Sequence, residues 1–163
     1  MIKEDTIAAI ATAPGEGGIG IVRISGDKAL DILKKIFVPA SSKIENRRLS
    51  YGHVVDPESG RTIDEVMAVY MKGPLSYTAE DVVEVHCHGS MISLRNILDL
   101  VIKSGAVLAE KGEFTKRAFL NGRLDLSQAE AVIDLIRAKS EKTFDVALNQ
   151  LSGAFSDKIR EIR

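Results

Sequence analysis

Two charged residues stand inside runs that otherwise read as buried strand: Arg23 within Ile19–Ile24, and Glu84 within Val82–Val85. Strand alternation puts Val82, Glu84 and His86 on one face and Val83, Val85 and Cys87 on the other. A carboxylate at Glu84 has two readings. It pairs with Arg23 or another base as a structural ion pair, or it grips two adjacent N–H donors of a planar heterocycle in bidentate fashion. Arg23 either lies on a solvated strand face or is buried. If buried, its guanidinium must reach a carboxylate, a carbonyl or an anionic ligand, because an unpaired buried charge is costly. A third cation, Arg123, sits at the Asn121-Gly122 break between two helical pieces in the stretch 112–136. Around it cluster Lys111, Lys116 and Arg117, with Glu113 as the only acid between positions 111 and 123. Such a cluster either meets an anionic ligand or stays solvated.

Other suggestive residues do not converge. In His86-Cys87-His88 adjacent strand positions point to opposite faces, and no second cysteine exists, so neither a metal site nor a Cys–His catalytic pair is expected. Pro14-Gly-Glu-Gly-Gly-Ile-Gly20 permits tight backbone conformations. However, Ile21-Val22 follows where a phosphate-cradling loop needs Lys and Ser/Thr opening a helix. The segment reads as a glycine hairpin, and the chain alone should not bind GTP or ATP tightly.

The elements that must position these residues follow from periodicity. Strand-like runs occur at Thr6–Thr12, Ile19–Ser25, Tyr51–Asp56, Ile63–Met71 and Val82–His86, with a weaker one at Ala106–Ala109. Helical spacing appears at Asp27–Phe37 and Ser90–Lys103, with Gly105 as a stop beyond the second. This mixed order predicts an α+β domain over about the first 120 residues. After Leu126, apolar residues fall mostly three or four apart from Ala129 through Ile162. That pattern predicts helix seeking a partner helix, broken near Ser152-Gly153. Ser127 and Glu130 have capping-box spacing. The apolar stripe still runs at Arg163, which predicts a piece of a longer chain; a free helix docking on its own domain or on a second copy is the alternative.

Bulk composition bounds the rest. The 163 residues are 45% hydrophobic and 28% charged, and the formal charge of −1 gives no global drive toward nucleic acid or anionic membrane. Cys87 is the only cysteine, so no intrachain disulfide is possible. Charges stand where a signal peptide needs an apolar core, and no apolar run approaches the ~20 residues of a membrane span. A cytoplasmic location is expected.

Three segments, taken together, resemble one family, the tRNA-modification GTPases called MnmE or TrmE. They are Asp5–Thr12 with Gly17–Gly26, Ser76–Glu84 with His86–Gly89, and Gly112–Leu126. The resemblance implies a tetrahydrofolate-binding α+β domain at 1–120, similar to that of aminomethyltransferases, and the beginning of a helical domain at 121–163. It also implies 5-formyltetrahydrofolate as ligand, a homodimer, and a parent enzyme that modifies the wobble uridine of tRNA with the FAD-containing partner MnmG. The folate contacts it implies fall on Arg23, Glu84 and Arg123, with no catalytic or metal-binding residue in this chain. GTP, potassium and magnesium would belong to a GTPase domain missing here, as would the family's C-terminal Cys motif. Arg123 stands where the family often has Lys, Ala79 where it has Gly, and Ala109-Glu-Lys-Gly replaces a more usual Ala-Arg-Pro-Gly. The rival readings are a stand-alone folate-dependent one-carbon transferase and a pure oligomerisation module.

Overall fold

The computed structural model describes residues 5–41 and 43–153. The described chain is α+β and divides into two compact units. The first comprises Met1–Ser76 and Glu80–Lys111; the second comprises Tyr77–Ala79 and Gly112–Arg163.

The first unit is a seven-stranded sheet with two helices. Its strands are β1 (Ile7–Ile10), β2 (Gly17–Ser25), β3 (Phe37–Pro39), β4 (Ser50–Val55), β5 (Thr62–Met71), β6 (Val82–Gly89) and β7 (Val107–Leu108). They lie in the order β3-β4-β5-β6-β2-β1-β7, antiparallel throughout except for the parallel β1–β7 pair. The helices are α1 (Ala29–Ile36) and α2 (Met91–Lys103). Period-2 alternation creates the core: Val22 and Ile24 of β2, Val83, Val85 and Cys87 of β6, and Val66 and Ala68 of β5 are buried. Against them pack Ile32, Leu33 and Ile36 of α1 and Leu94, Ile97 and Val101 of α2, each at helical spacing. The residues of opposite parity, Ile21, Arg23, Met67, Val69, Glu84 and His86, are only half-buried.

Several glycines leave no room for a Cβ, two of them at the β2–β6 pair. A Cβ on Gly20 would lie 2.7 Å from Leu94, so this bare strand position seats α2. A Cβ on Gly89 would lie 2.3 Å from the Gly17 carbonyl oxygen, which no side-chain rotation relieves.

The second unit contains α3 (Glu113–Leu120), α4 (Leu126–Arg137) and α5 (Glu141–Leu151). The expected break at Asn121-Gly122 is present, with Gly122 at φ +78°. The expected capping box is displaced by two residues. Asp125 caps α4 by accepting from the Gln128 N–H at 2.8 Å, while the Gln128 side chain accepts from the Asp125 N–H at 3.0 Å. Ser127 already lies inside the helix, where its carbonyl and hydroxyl accept from Gln150 Nε2 of α5. A break at Ala138–Ser140, inside the eight-position gap that the apolar stripe leaves between Ile136 and Phe144, separates α4 from α5. Ala138 is extended and the Ser140 hydroxyl caps α5. The break near Ser152-Gly153 is present, since α5 ends at Leu151 and Gly153 has φ +90°. Phe155, Ile159 and Ile162 of the predicted stripe lie outside the described residues.

Two further differences are local. Helical spacing from Asp27 continues into Phe37, but that residue has φ −110° and ψ 127° and pairs with Val54 in β3. Pro39, two positions on, cannot extend a helix and occupies the edge strand instead. Ala79 adopts φ +63°, the left-handed conformation in which a Cβ costs ~1–2 kcal/mol. Replacing it with glycine relieves that strain but adds ~0.4–1 kcal/mol of unfolded-chain entropy. Ala79→Gly should therefore stabilise by up to about 1.5 kcal/mol, raising the thermal midpoint by up to about 6 °C. A lower midpoint by calorimetry would contradict this account of the turn.

Candidate ligand-binding site

The antiparallel register of β2 and β6 places Arg23 directly opposite Glu84. Arg23 donates from Nε and Nη2 to Glu84 Oε2, both at 3.0 Å. On the same strand face, two residues along β6, His86 Nε2 lies 3.0 Å from Glu84 Oε1. With the carboxylate ionised, the imidazole is the donor. The three side chains are 27%, 17% and 27% exposed respectively, so the group is screened from bulk water yet still reachable. Burial pushes the Glu84 carboxyl up, but the His86 hydrogen bond and the Arg23 charge outweigh it, and the net shift is downward. Glu84 is thus held as an anion with both oxygens engaged. A carboxylate offers about four lone-pair positions. Three are used here, so a second planar donor pair must share or displace one of these partners.

Strand alternation turns Cys87 away from His86, and the two histidines meet different carboxylates. His86 meets Glu84, Cys87 is buried in the core, and exposed His88 turns to Asp64 of β5. Asp64 accepts from His88 Nδ1 at 2.7 Å, from the His88 backbone N–H at 3.0 Å and from the Ser93 hydroxyl at 2.6 Å. Burial raises the Asp64 carboxyl, but these donors lower it overall, and Asp64 in turn raises the His88 imidazole. Among the described residues, no three His, Cys, Asp or Glu side chains could hold a metal ion. The glycine segment leads into β2 as one side of an antiparallel hairpin with β1, closed by the Ala11 N–H on the Ile21 carbonyl at 2.8 Å. A strand, not a helix N-terminus, follows the glycines.

Arg123 belongs to the second unit. Its backbone folds back on α3, its N–H donating to the Ala118 carbonyl at 2.9 Å. Its guanidinium lies 5.2 Å from the centre of the Tyr77 ring. Of its neighbours in the basic cluster, Lys111 and Lys116 are exposed, whereas Arg117 is buried and faces Glu113. The structure thus unites Arg23 with Glu84 in one unit and gives Arg123 an aromatic neighbour in the other. His86 was legible as a face-mate of Glu84 from alternation alone. The Tyr77 contact had no sequence signal, because 46 positions separate it from Arg123 and no periodicity links them.

Residues 6–123 match the family described as the N-terminus of the GTP-binding protein TrmE, and residues 126–163 match the MnmE helical domain. The chain belongs to the MnmE/TrmE family. It is 59% identical to the tRNA modification GTPase MnmE of Alkaliphilus oremlandii, over 100% of this chain and 36% of that protein. It is 60% identical to the MnmE of Clostridioides difficile, again over 100% of this chain and 36% of the relative. With the MnmE of Lactiplantibacillus plantarum the identity is 57%, over 98% and 35% respectively. The chain therefore spans about a third of the length of these relatives and corresponds to their N-terminal part.

The lowered Glu84 carboxyl makes a pH prediction. Its stabilising contribution is fully present above its ordinary value of 4.5 and is lost as pH falls through the lower folded-state value. In thermal melts below about pH 4.5, Glu84→Gln should show a shallower loss of midpoint with falling pH than the parent chain. Parallel curves would remove Glu84 from the acid transition.

Proposed function

We propose that this chain is the portion of a tRNA-modification GTPase that binds a reduced folate, 5-formyltetrahydrofolate, and forms the homodimer. In this reading residues 1–120 are the folate-binding and dimerisation domain, and 121–163 begin the helical domain. The observation that carries it is the Glu84 carboxylate. It is ionised and half-buried on an apolar strand, in the segment through which the chain matches its family. That pair of acceptor oxygens fits a pterin, whose exocyclic amino group and ring N–H form two adjacent donors on one edge. Arg23, already against Glu84, sets the carboxylate's orientation and offers N–H groups to a ligand carbonyl. Arg123 contributes an exposed guanidinium suited to an anionic oxygen.

When bound, the folate supplies a one-carbon unit. No residue of this chain is assigned a catalytic role. GTP with potassium and magnesium, the FAD-containing partner MnmG and the wobble uridine of tRNA act with the whole enzyme, in the cytoplasm. Among the described residues, no helix is long and apolar enough to cross a membrane.

Calorimetric titration with 5-formyltetrahydrofolate tests the assignment. Losing a hydrogen bond to a charged group costs about 1.5–3 kcal/mol, so Glu84→Gln should bind roughly 10- to 150-fold more weakly. Equal affinity of Glu84→Gln and the parent would remove Glu84 from the site. A parent chain that dimerises but binds no folate would favour the pure oligomerisation module. Light scattering addresses the dimer. A chain ending near Asn121 should keep the dimer mass at tens of micromolar, whereas a monomer there, with the longer chain dimeric, would shift the interface to the helices.

A further inference from the structure

The short segment Tyr77–Ala79 lies in sequence between two strands of the sheet, yet it belongs to the helical unit. Three contacts within that unit hold it. The Tyr77 hydroxyl shares a 2.7 Å hydrogen bond with the Thr115 hydroxyl on α3. The Thr78 carbonyl accepts from Asn121 Nδ2 at 2.9 Å, at the C-terminal end of the same helix. The Arg123 guanidinium lies 5.2 Å from the Tyr77 ring centre, within the range of a cation–π contact.

These contacts form one device. The Asn121 bond fixes the peptide that carries the ring, and the Thr115 bond fixes the ring's far end, so the aromatic face has a defined direction. Both tethers come from the helix onto whose last turn Arg123 folds back. An exposed arginine otherwise samples many rotamers and must be ordered when a ligand arrives. A ring already held beneath the guanidinium removes part of that ordering cost before binding. A lysine in place of Arg123 would also bind an aromatic face, but only as a compact ammonium without a planar surface to stack.

We propose that Tyr77 is a positioning residue. It pre-orders the Arg123 guanidinium for a reduced-folate ligand, with Thr115 and Asn121 as the tethers that aim its ring. The inference rests on the reading that Arg123 touches the folate.

The test is a double-mutant cycle on the full chain, with calorimetric titration of 5-formyltetrahydrofolate. Tyr77→Leu should weaken binding about two- to fivefold, and Tyr77→Phe, which keeps the ring, should restore most of the loss. In the Arg123→Ala background, Tyr77→Leu should cost nothing further. An independent readout is the NMR signal of the Arg123 side-chain protons. Ring current should shift them upfield in the parent and in Tyr77→Phe, but not in Tyr77→Leu. Thr115→Val, which loosens the ring without deleting it, stands in if Tyr77→Leu fails to fold and should give a smaller loss of the same sign. Binding that is insensitive to Tyr77→Leu, or an equal loss with and without Arg123, would overturn the positioning role alone. Absence of any folate binding by the parent chain overturns the functional reading itself, and the positioning role with it.

Discussion

The register between β2 and β6 is the constraint on which the first unit turns. These neighbouring strands place Val22 opposite Val85, Arg23 opposite Glu84 and Ile24 opposite Val83. Because side chains alternate with period two, one choice of register buries all four aliphatics and brings the two charges together on the other face. A one-residue slip of β6 would drive the Glu84 carboxylate into the core and expose its valines, and a slip of β2 would do the same with the Arg23 guanidinium. The ion pair and the core are thus two consequences of one alignment, and Gly20 and Gly89 keep the surrounding backbone and α2 close enough to maintain it.

A partly buried charge is tolerable here because it is heavily partnered. Arg23 and His86 together engage both oxygens of Glu84. Among the described residues, no buried side-chain nitrogen or oxygen lacks a hydrogen-bond partner. Asp64 repeats the pattern nearby, tying β5 to the end of β6 and the first turn of α2 through His88 and Ser93. Such networks do little for net stability, since desolvation opposes the attraction. They do fix the position and ionisation of a carboxylate, and that property suits recognition of a polar heterocycle.

The second unit is organised by polar punctuation more than by propensity. Asp125 and Gln128 start α4, Ser140 starts α5, and the side chains of Gln128 and Gln150 each reach a carbonyl near the end of the other helix. Buried Ala131 and Ala147 are small, which allows a close approach along this pair of helices. The same unit captures Tyr77–Ala79, and the left-handed Ala79 marks a sharp change of direction in that segment.

Period-two and period-3.6 patterns in the sequence were enough to determine the α+β class, β2, β4, β5, β6 and both sheet-packing helices, because burial on one face leaves a local record in residue order. They also marked Arg23 and Glu84 as out of place in apolar strands, and the break before Arg123. Strand β3 escaped, because three residues are too few to show a period. So did the interruption at Ala138–Ser140, because the gap from Ile136 to Phe144 holds no Gly or Pro to mark a stop, and the true cap of α4, because Asp125 and Ser127 both carry capping side chains. Only the tertiary structure decided that Arg23 faces Glu84 across a strand pair 61 positions apart, and that Tyr77 lies under Arg123. The reason is physical: periodicity records which face of an element is buried, whereas which element lies against it depends on the register and chain crossings of the folded whole.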